Sequence, residues 1–234
     1  MKIGIVSDVH GNLHGFEAVL ADVESVQPDL VVHGGDLVLG LPGAPMVVDR
    51  IRELGWPGVL GNTDQALWDL PEWLPEQARA AFERRIHAAV ELIGQDRVDW
   101  LRKLPLEYRW GPLALTHAAP GNLWDMVPKD ADDERMREVF GRLQAPLAVY
   151  CHIHTPFVRD VGGFTVANTG SAGMPFDGDV RASWLLVIDG RAEVRRVEYD
   201  VEAAVDELLH SGLPDAEVIA ESVRTATFIP PGSR

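Results

Sequence analysis

The 234-residue chain is short of cysteine, of long apolar runs and of positive charge. Its one cysteine, Cys151, excludes an internal disulfide and fits a reducing compartment. No apolar run reaches the length of a membrane span. The opening "MKIGIVSDVHGN" is interrupted at Asp8 too early for a signal peptide. The expectation is therefore a cytoplasmic protein with no membrane partner. Lys and Arg number 21 against 36 Asp and Glu, a formal net charge of −15. Such a field repels nucleic-acid backbones and anionic membranes, so nucleic-acid binding is not expected. Internal repeats, low-complexity tracts and linkers are missing too. What remains is ordinary for a globular chain, 46% hydrophobic and 24% charged, and long enough to bury a proper core. One domain spanning 1–234 is the expectation.

The apolar pattern alternates strand and helix. "KIGIVS" (2–7) reads as a strand. "LHGFEAVLADVESV" (13–26) carries apolar residues at helical spacing, and "DLVVHGGD" (29–36) is a second buried-type strand. "APMVVDRIREL" (44–54) reads as a helix and "GVLGN" (58–62) as a third short strand. This β-α-β-α-β order argues for parallel pairing, with ligands beyond the carboxyl ends of the strands. Residues 65–104 have helical periodicity and no strand signal, and read as a helical insertion. "LEYRW" and "LALTHA" form an expected hairpin around Gly111-Pro112, followed by a helix at about 132–142 and a strand before Cys151. "FTVAN" (164–168), "ASWLLVI" (182–188) and "AEVRRVEY" (192–199) read as antiparallel, the last pair turning at Asp189-Gly190. Helices at 201–212 and 216–225 close the chain, and the tail "IPPGSR" reads as loose.

The stretch "YCHIHTP" (150–156) places two imidazoles one residue apart. In an extended segment, positions i and i+2 face the same way, so His152 and His154 could converge on one ion. Partners are available in the loops that end other strands: Asp8 and His10 in "SDVHGN", Asp36 in "GGD", Asn62 in "GNTD" and His117 in "LTHAAPGN". Asp8, Asp36 and Asn62 are each separated by about one β-α-β step, which brings them to the same sheet edge. The mixed carboxylate, amide and imidazole set suits transition metals rather than an all-oxygen calcium cage. Seven ligands are too many for one tetrahedral ion and suit two.

In these blocks, Asp8-Val9-His10, Gly35-Asp36, Gly61-Asn62-Thr63-Asp64, His117 and His152-Ile153-His154, the chain resembles the calcineurin-like metallophosphoesterase superfamily. "SDVHGNLHGFEAVL" looks closest to its small bacterial and archaeal phosphodiesterase-like branch, and "NTGSAG" (168–173) is similar to a family turn with Thr169 in place of proline. The resemblance implies a four-layer α-β-β-α sandwich, two mixed β-sheets flanked by helices. It implies two divalent transition-metal ions, manganese first, with iron, zinc, nickel or cobalt as alternatives. One would be held by Asp8, His10, Asp36 and His154, the other by Asp36, Asn62, His117 and His152, with Asp36 and a hydroxide as bridges. The implied substrate is a small phosphoester or nucleotide.

The departures from the family pattern concern catalysis. Thr63 stands where many members carry a histidine thought to assist the leaving group, while Asp64, which would orient that histidine, remains. Asn62, Thr63 and Asp64 are thus the candidate catalytic residues, and Asn12 and His14 are candidates for substrate contact. Cys151, where glycine is usual, reads as a small buried residue. His33 lies on a strand before "GGD" and is a candidate for supporting a ligand; His87 and His210 read as surface. Trp68, Trp73 and Trp100 read first as packing and, if exposed, as stacking platforms for a base. Arg79, Arg84 and Arg85 read as a solvated face or as a clamp for a second phosphate. The acidic stretch "KDADDE" (129–134) reads as a helix start.

The leading expectation is a two-metal hydrolase of phosphodiesters or phosphoanhydrides of nucleotides, such as dinucleoside polyphosphates. A protein phosphatase shares the ligand set but usually keeps the histidine at position 63. A non-catalytic scaffold, as in the retromer subunit that resembles the family, would have no chemical need for a complete ligand set. The oligomeric state, monomer or homo-oligomer, is left open.

Overall fold

Apolar residues in the strands alternate between two cores, and that alternation produces the layers. In β1 (Lys2–Val6), Ile3 and Ile5 face one core and Val6 the other. The same split recurs in β8 (Ala182–Ile188), where Leu185 and Val187 oppose Trp184 and Leu186. In β4 (Leu113–Thr116) and β5 (Leu147–Tyr150), Leu113, Leu115, Leu147 and Val149 share the inner core while Ala114, Ala148 and Tyr150 face outward. Strands buried on both faces read as continuous apolar runs, as these do.

The computed structural model describes residues 1–230. With β2 (Leu30–His33) and β9 (Arg191–Val197), one sheet runs β2-β1-β8-β9; β1 and β2 are parallel, with Ile3 opposite Leu30. The second sheet adds β3 (Glu107–Trp110), β6 (Phe157–Asp160) and β7 (Thr165–Asn168) in the order β3-β4-β5-β7-β6. Its centre, β4-β5-β7, is parallel and both edges are antiparallel. The two sheets bury Ile5, Val32, Leu115, Val149 and Leu185 between them. At about 1.5–3 kcal/mol for each such side chain, these five contribute on the order of 10 kcal/mol.

Helices cover both outer faces, as expected of the four-layer sandwich. On the first sheet lies α1 (Leu13–Val26), which buries Phe16, Val19, Leu20 and Val23, beside α2 (Ala44–Leu54). After the short α3 (Asn62–Ala66), the segment expected as an insertion forms α4 (Glu76–Ile93) and α5 (Gln95–Leu101). Ala89, Ile93, Val98 and Leu101 enter the same core as α1 and α2, and Arg97 Nε donates to Asp49 Oδ1 at 2.9 Å to lock α5 onto α2. These helices thus complete a layer of the sandwich. On the second sheet, α6 (Asp133–Phe140) is capped by Asp132, as the acidic stretch predicted, and buries Met136, Val139 and Phe140. The closing helices α7 (Val201–His210) and α8 (Ala216–Thr225) pack on each other, on Leu41 and on Met174. No helix among the described residues is long and apolar enough to cross a membrane.

Three local readings differ. "GVLGN" makes one parallel bridge, Gly58 to His33, because the Leu60 N–H turns away to the Pro105 carbonyl at 2.8 Å. "FTVAN" pairs with β5 and β6 in the second sheet, not with β8 and β9. β6 itself was not anticipated, being four residues long between Pro156 and a turn. The hairpin at Asp189-Gly190 is present, with φ of 49° and 83° at its two turn residues. Of the tail expected to be loose, residues 231–234 lie outside the described residues; Ile229 and Pro230 are in neither helix nor strand.

His33 is an anomaly of the core. It is fully buried, 6.0 Å from the Trp100 ring, and neither ring nitrogen has a hydrogen-bond partner. Burial lowers its pKa from 6.5 to about 4. It therefore supports no ligand. Between those values the unfolded chain binds a proton that the folded chain does not, so stability falls as pH drops from 6.5 towards 4. His33→Leu should stabilise the fold at pH 7 by about 1–2 kcal/mol, because it removes unpaired buried polar atoms. Its advantage should widen by on the order of 3 kcal/mol at pH 4. Urea denaturation of both proteins at pH 7, 5.5 and 4 measures this. An advantage independent of pH would mean that His33 gains a partner in solution.

Candidate metal centre

The loops at the carboxyl ends of β1, β2, β4 and β5 meet at one spot. They turn sharply: Asp8, His10, Asp36, His152 and His154 all have left-handed backbones, with φ between 49° and 68°. Non-glycine residues adopt this conformation at a cost of about 1–3 kcal/mol, so the surrounding bonds must impose it. Those bonds lace the first two loops together: Asp8 N–H donates to Gly35 O, His10 N–H to Asp36 O and Gly11 N–H to Leu37 O, each at 3.0 Å. Gly61 is needed beside them, since a Cβ there would lie 2.2 Å from the Asp36 nitrogen. The extended geometry invoked for His-x-His is thus not the one used. His152 and His154 lie in a left-handed loop and face different neighbours.

Two groups of side chains result, Asp8, His10, Asp36 and His154 in one, and Asp36, His117 and His152 in the other; within each, the ligating atoms lie within 4.8 Å of one another. Asp36 belongs to both. Asn62, the first residue of α3, joins the second group with Oδ1 2.8 Å from His117 Nε2. All seven residues predicted from sequence therefore converge.

The chemistry of the inward-facing atoms fits a cation. His10 Nδ1 lies 3.2 Å from the Val38 carbonyl, His117 Nδ1 lies 2.8 Å from that of Gly34, and His154 Nδ1 is bonded to that of Met174. A carbonyl only accepts, so each Nδ1 carries the proton and each Nε2 turns a lone pair inward. His10 Nε2 and His154 Nε2 then face each other at 3.2 Å, His154 Nε2 lies 3.3 Å from Asp8 Oδ1, and His117 Nε2 lies 3.4 Å from Asp36 Oδ2. His152 Nε2 is buried without a partner. Buried acceptors that face acceptors at this range require a positive charge among them.

The titration behaviour expresses the same demand. Burial would lower the His117 pKa, yet the Asp36 carboxylate beside it raises it to about 9, so a proton takes the place of other positive charge. Burial and the charge of His117 push His152 down to about 3. Burial opposes ionisation of Asp36, but His117 and His10 hold its carboxyl well below the usual range. Asp64 is driven the other way, up to about 7, by burial and by Asp36.

The remaining predicted residues have other positions. Asp64 is fully buried and accepts from Leu37 N–H at 3.0 Å and Gly61 N–H at 3.3 Å, so it ties the two loops together rather than orienting a group in the open site. Thr63 N–H donates to Asp36 Oδ1 at 2.9 Å, and its hydroxyl lies 3.5 Å from the Val38 carbonyl at the cleft wall. Asn12 is buried; it caps α1 through Gly15 N–H and donates to Gly173 O at 2.8 Å, which occupies it structurally. His14 turns outward to Glu207 at 3.2 Å, because its place on α1 faces α7. Cys151 fills the space above Gly34 in the inter-sheet core, and burial pushes its thiol up, away from the thiolate a metal would need. His87 and His210 are on the surface.

A cleft of about 640 Å³ opens from the centre. His10, Asp36, Asn62, His152 and His154 form its floor. Phe176 stacks on His154 at 4.2 Å and 10°, a contact that sequence reading missed; the only sign was an apolar residue in a loop just after the "NTGSAG" turn. Among the three weighed tryptophans, Trp68 and Trp100 pack into the core, whereas Trp73 is 66% exposed and lines the cleft. Arg84 faces Asp215 on the surface, and Arg79 caps the turn at Pro71.

Comparison with known proteins agrees with this geometry. Residues 1–191 match the family model described as the calcineurin-like phosphoesterase superfamily domain. The Methanocaldococcus jannaschii protein MJ0912 is 26% identical over 91% of this chain and 94% of its own. The crystal structure of a metallophosphoesterase from Sphaerobacter thermophilus is 26% identical and covers 97% of this chain and 99% of its own, with a TM-score of 0.81. The fold also matches PH1004 from Pyrococcus horikoshii OT3 at a TM-score of 0.84, with 17% identity and coverage of 95% and 97%. The chain belongs to the calcineurin-like phosphoesterase superfamily and is a metal-dependent phosphoesterase.

Proposed function

We propose that the protein hydrolyses phosphodiester or phosphoanhydride bonds at a pair of divalent cations. Asp8, His10, Asp36 and His154 hold one, and Asp36, Asn62, His117 and His152 hold the other. The observation that carries this reading is the pair of side-chain groups that share Asp36 and turn acceptor atoms inward. The nitrogen-and-oxygen set favours manganese, with iron, zinc, nickel or cobalt as alternatives. Two such cations, when bound, lower the pKa of water and offset the charge that builds on the phosphoryl oxygens.

The chain supplies position and little proton chemistry. Thr63 N–H fixes one oxygen of Asp36 and leaves the other to face His117 and His10. Backbone carbonyls hold three imidazoles in the tautomer that turns Nε2 inward. The Thr63 hydroxyl is a poor acid at neutral pH and already faces the Val38 carbonyl. The leaving oxygen must then depart as an anion. Aryl diesters and nucleotide anhydrides, dinucleoside polyphosphates included, have weakly basic leaving groups and satisfy this; simple alkyl phosphates do not.

Two measurements test the reading. Asp36→Asn removes charge from both metal positions. It should cut bound metal well below the two ions per chain expected of the wild type. Activity should fall by more than the 10–100-fold typical of an outer supporting residue. Elemental analysis and steady-state kinetics check both; wild-type metal content with wild-type turnover would refute the shared position. The second test varies the leaving group. For substituted phenyl phosphodiesters, log kcat/KM of the wild type should fall steeply with leaving-group pKa, and less steeply in Thr63→His, whose imidazole can donate a proton. A flat wild-type series, with chemistry rate-limiting, would show that another residue supplies the proton.

A further inference from the structure

The cleft beyond the metal centre is larger than a phosphate needs, and its walls have a definite chemistry. Trp124 is packed edge-on by Trp73 at 6.1 Å and 86° and by Phe82 at 6.0 Å and 76°. Its indole Nε1 donates to Gln65 Oε1 at 3.3 Å, which fixes the ring. Elsewhere in the cleft, Phe176 stacks on His154 and packs on Phe228 at 5.3 Å. Trp73, Met126 and Phe228 are 66%, 62% and 53% exposed, all on this one cleft. Large apolar side chains left in water around one opening mark a binding surface rather than packing.

Charge narrows the ligand. Apart from the metal-centre residues, the charged residues among those described that line the cleft are Arg85 and Lys129 against Asp130 and Asp177, which balance. Arg85 is engaged, its Nε donating to Asp215 Oδ2 at 2.8 Å, so it is no free clamp for a second phosphate. Asp177 is engaged in the same way, by Arg196, so a polyphosphate chain would find Lys129 beside Asp130 and no unopposed cation. Arg85 Nη2 and Asp177 Oδ1 are nevertheless buried without partners, one a donor and the other an acceptor.

We infer that the cleft binds an uncharged aromatic group, of nucleobase or aryl type, carried by a single phosphodiester whose one anionic phosphoryl lies at the metal centre. This rests on the phosphodiesterase reading above and names its substrate class. Two groups of aromatic side chains lining the cleft, Trp73, Phe82 and Trp124 in one and Phe176 and Phe228 in the other, suit a flat ring, and neutrality suits one that brings no second phosphate. Stacking of this kind is worth about 1–3 kcal/mol per ring, roughly five- to 150-fold in affinity.

The test keeps the leaving group constant. With Mn-loaded protein, kcat/KM is compared for 4-nitrophenyl phosphodiesters whose second ester is methyl, cyclohexylmethyl, benzyl or thymidine-5′. The benzyl and thymidine esters should exceed methyl by at least tenfold and cyclohexylmethyl by severalfold. The benzyl-to-methyl ratio should collapse towards one in Trp73→Leu, whose exposed site tolerates the change, and persist in Trp110→Leu on the distant β3 edge. Equal values for methyl and benzyl would overturn the inference. So would parity of cyclohexylmethyl with benzyl, or a dinucleoside tetraphosphate that outperforms the thymidine diester. Calorimetric binding of benzyl methylphosphonate against methyl methylphosphonate separates this from the catalytic reading. Tenfold tighter benzyl binding without turnover of any ester would sustain the cleft and refute the diesterase, whereas turnover with no benzyl preference in either assay would do the reverse.

Discussion

Two buried carboxylates and a cluster of imidazoles cannot share one water-poor spot unless positive charge lies among them. Much of the architecture answers to that constraint. Five left-handed residues bring the ligating side chains inward, and each conformation would be unfavourable in an unconstrained loop. The bonds from Asp8, His10 and Gly11 to the second loop, and the buried carboxylate of Asp64 beneath it, hold those turns in place. Carbonyls of Gly34, Val38 and Met174 set the imidazole tautomers, so the backbone orients every ring it touches. The cost of assembling like-charged and acceptor atoms is offset only when a cation arrives, which couples metal affinity to the rigidity of the loops.

The sandwich makes this convergence geometrically simple. β1 and β2 are parallel in one sheet, and β4, β5 and β7 are parallel in the other, so their carboxyl ends deliver loops to a common edge. Ser171, in the loop after β7, donates to the Asp8 carbonyl at 2.7 Å and stitches the second sheet to the first at the site. Cys151 and Gly34 meet in the inter-sheet core directly beneath. A change in sheet packing would therefore displace ligands from both sheets relative to one another, and the apolar core and the polar centre are mechanically one object.

How much of this could be read in the sequence depends on the range of the interactions. Helices α1 and α2 were legible to the residue because apolar spacing is local. The ligand set was legible because each loop carries its residues at a strand end. What failed was pairing that depends on distant partners. The segment at Gly58 stops pairing because Pro105 captures the next N–H, and β7 joins the second sheet because β5 offers a parallel edge. His152 and His154 were found for the wrong geometric reason, since a left-handed loop and not a strand aims them. Asn12 and His14 looked like substrate contacts from their nearness to the Asp8 loop, but a cap and a helix-helix hydrogen bond claim them. The cleft was least legible, as its walls come from residues 73–85, 124–130, 174–177 and 218–229, which no local pattern connects.

The charge of the whole molecule bears on what such a cleft can accept. A chain with net charge −15 repels anions at long range, and the repulsion grows with each charge the substrate carries. Cations at the centre reverse that field only over a distance comparable to the screening length, about 8 Å at physiological salt. A substrate with several phosphates must bring charge through the unfavourable region and leave part of it there, over a wall whose own charges cancel. A single anionic phosphoryl can place its whole charge on the metals while an uncharged ring removes apolar surface from water at Trp73, Trp124 and Phe82. Attraction that is strong but short in range, next to a neutral aromatic wall, selects by the number of charges before it selects by the identity of the ring.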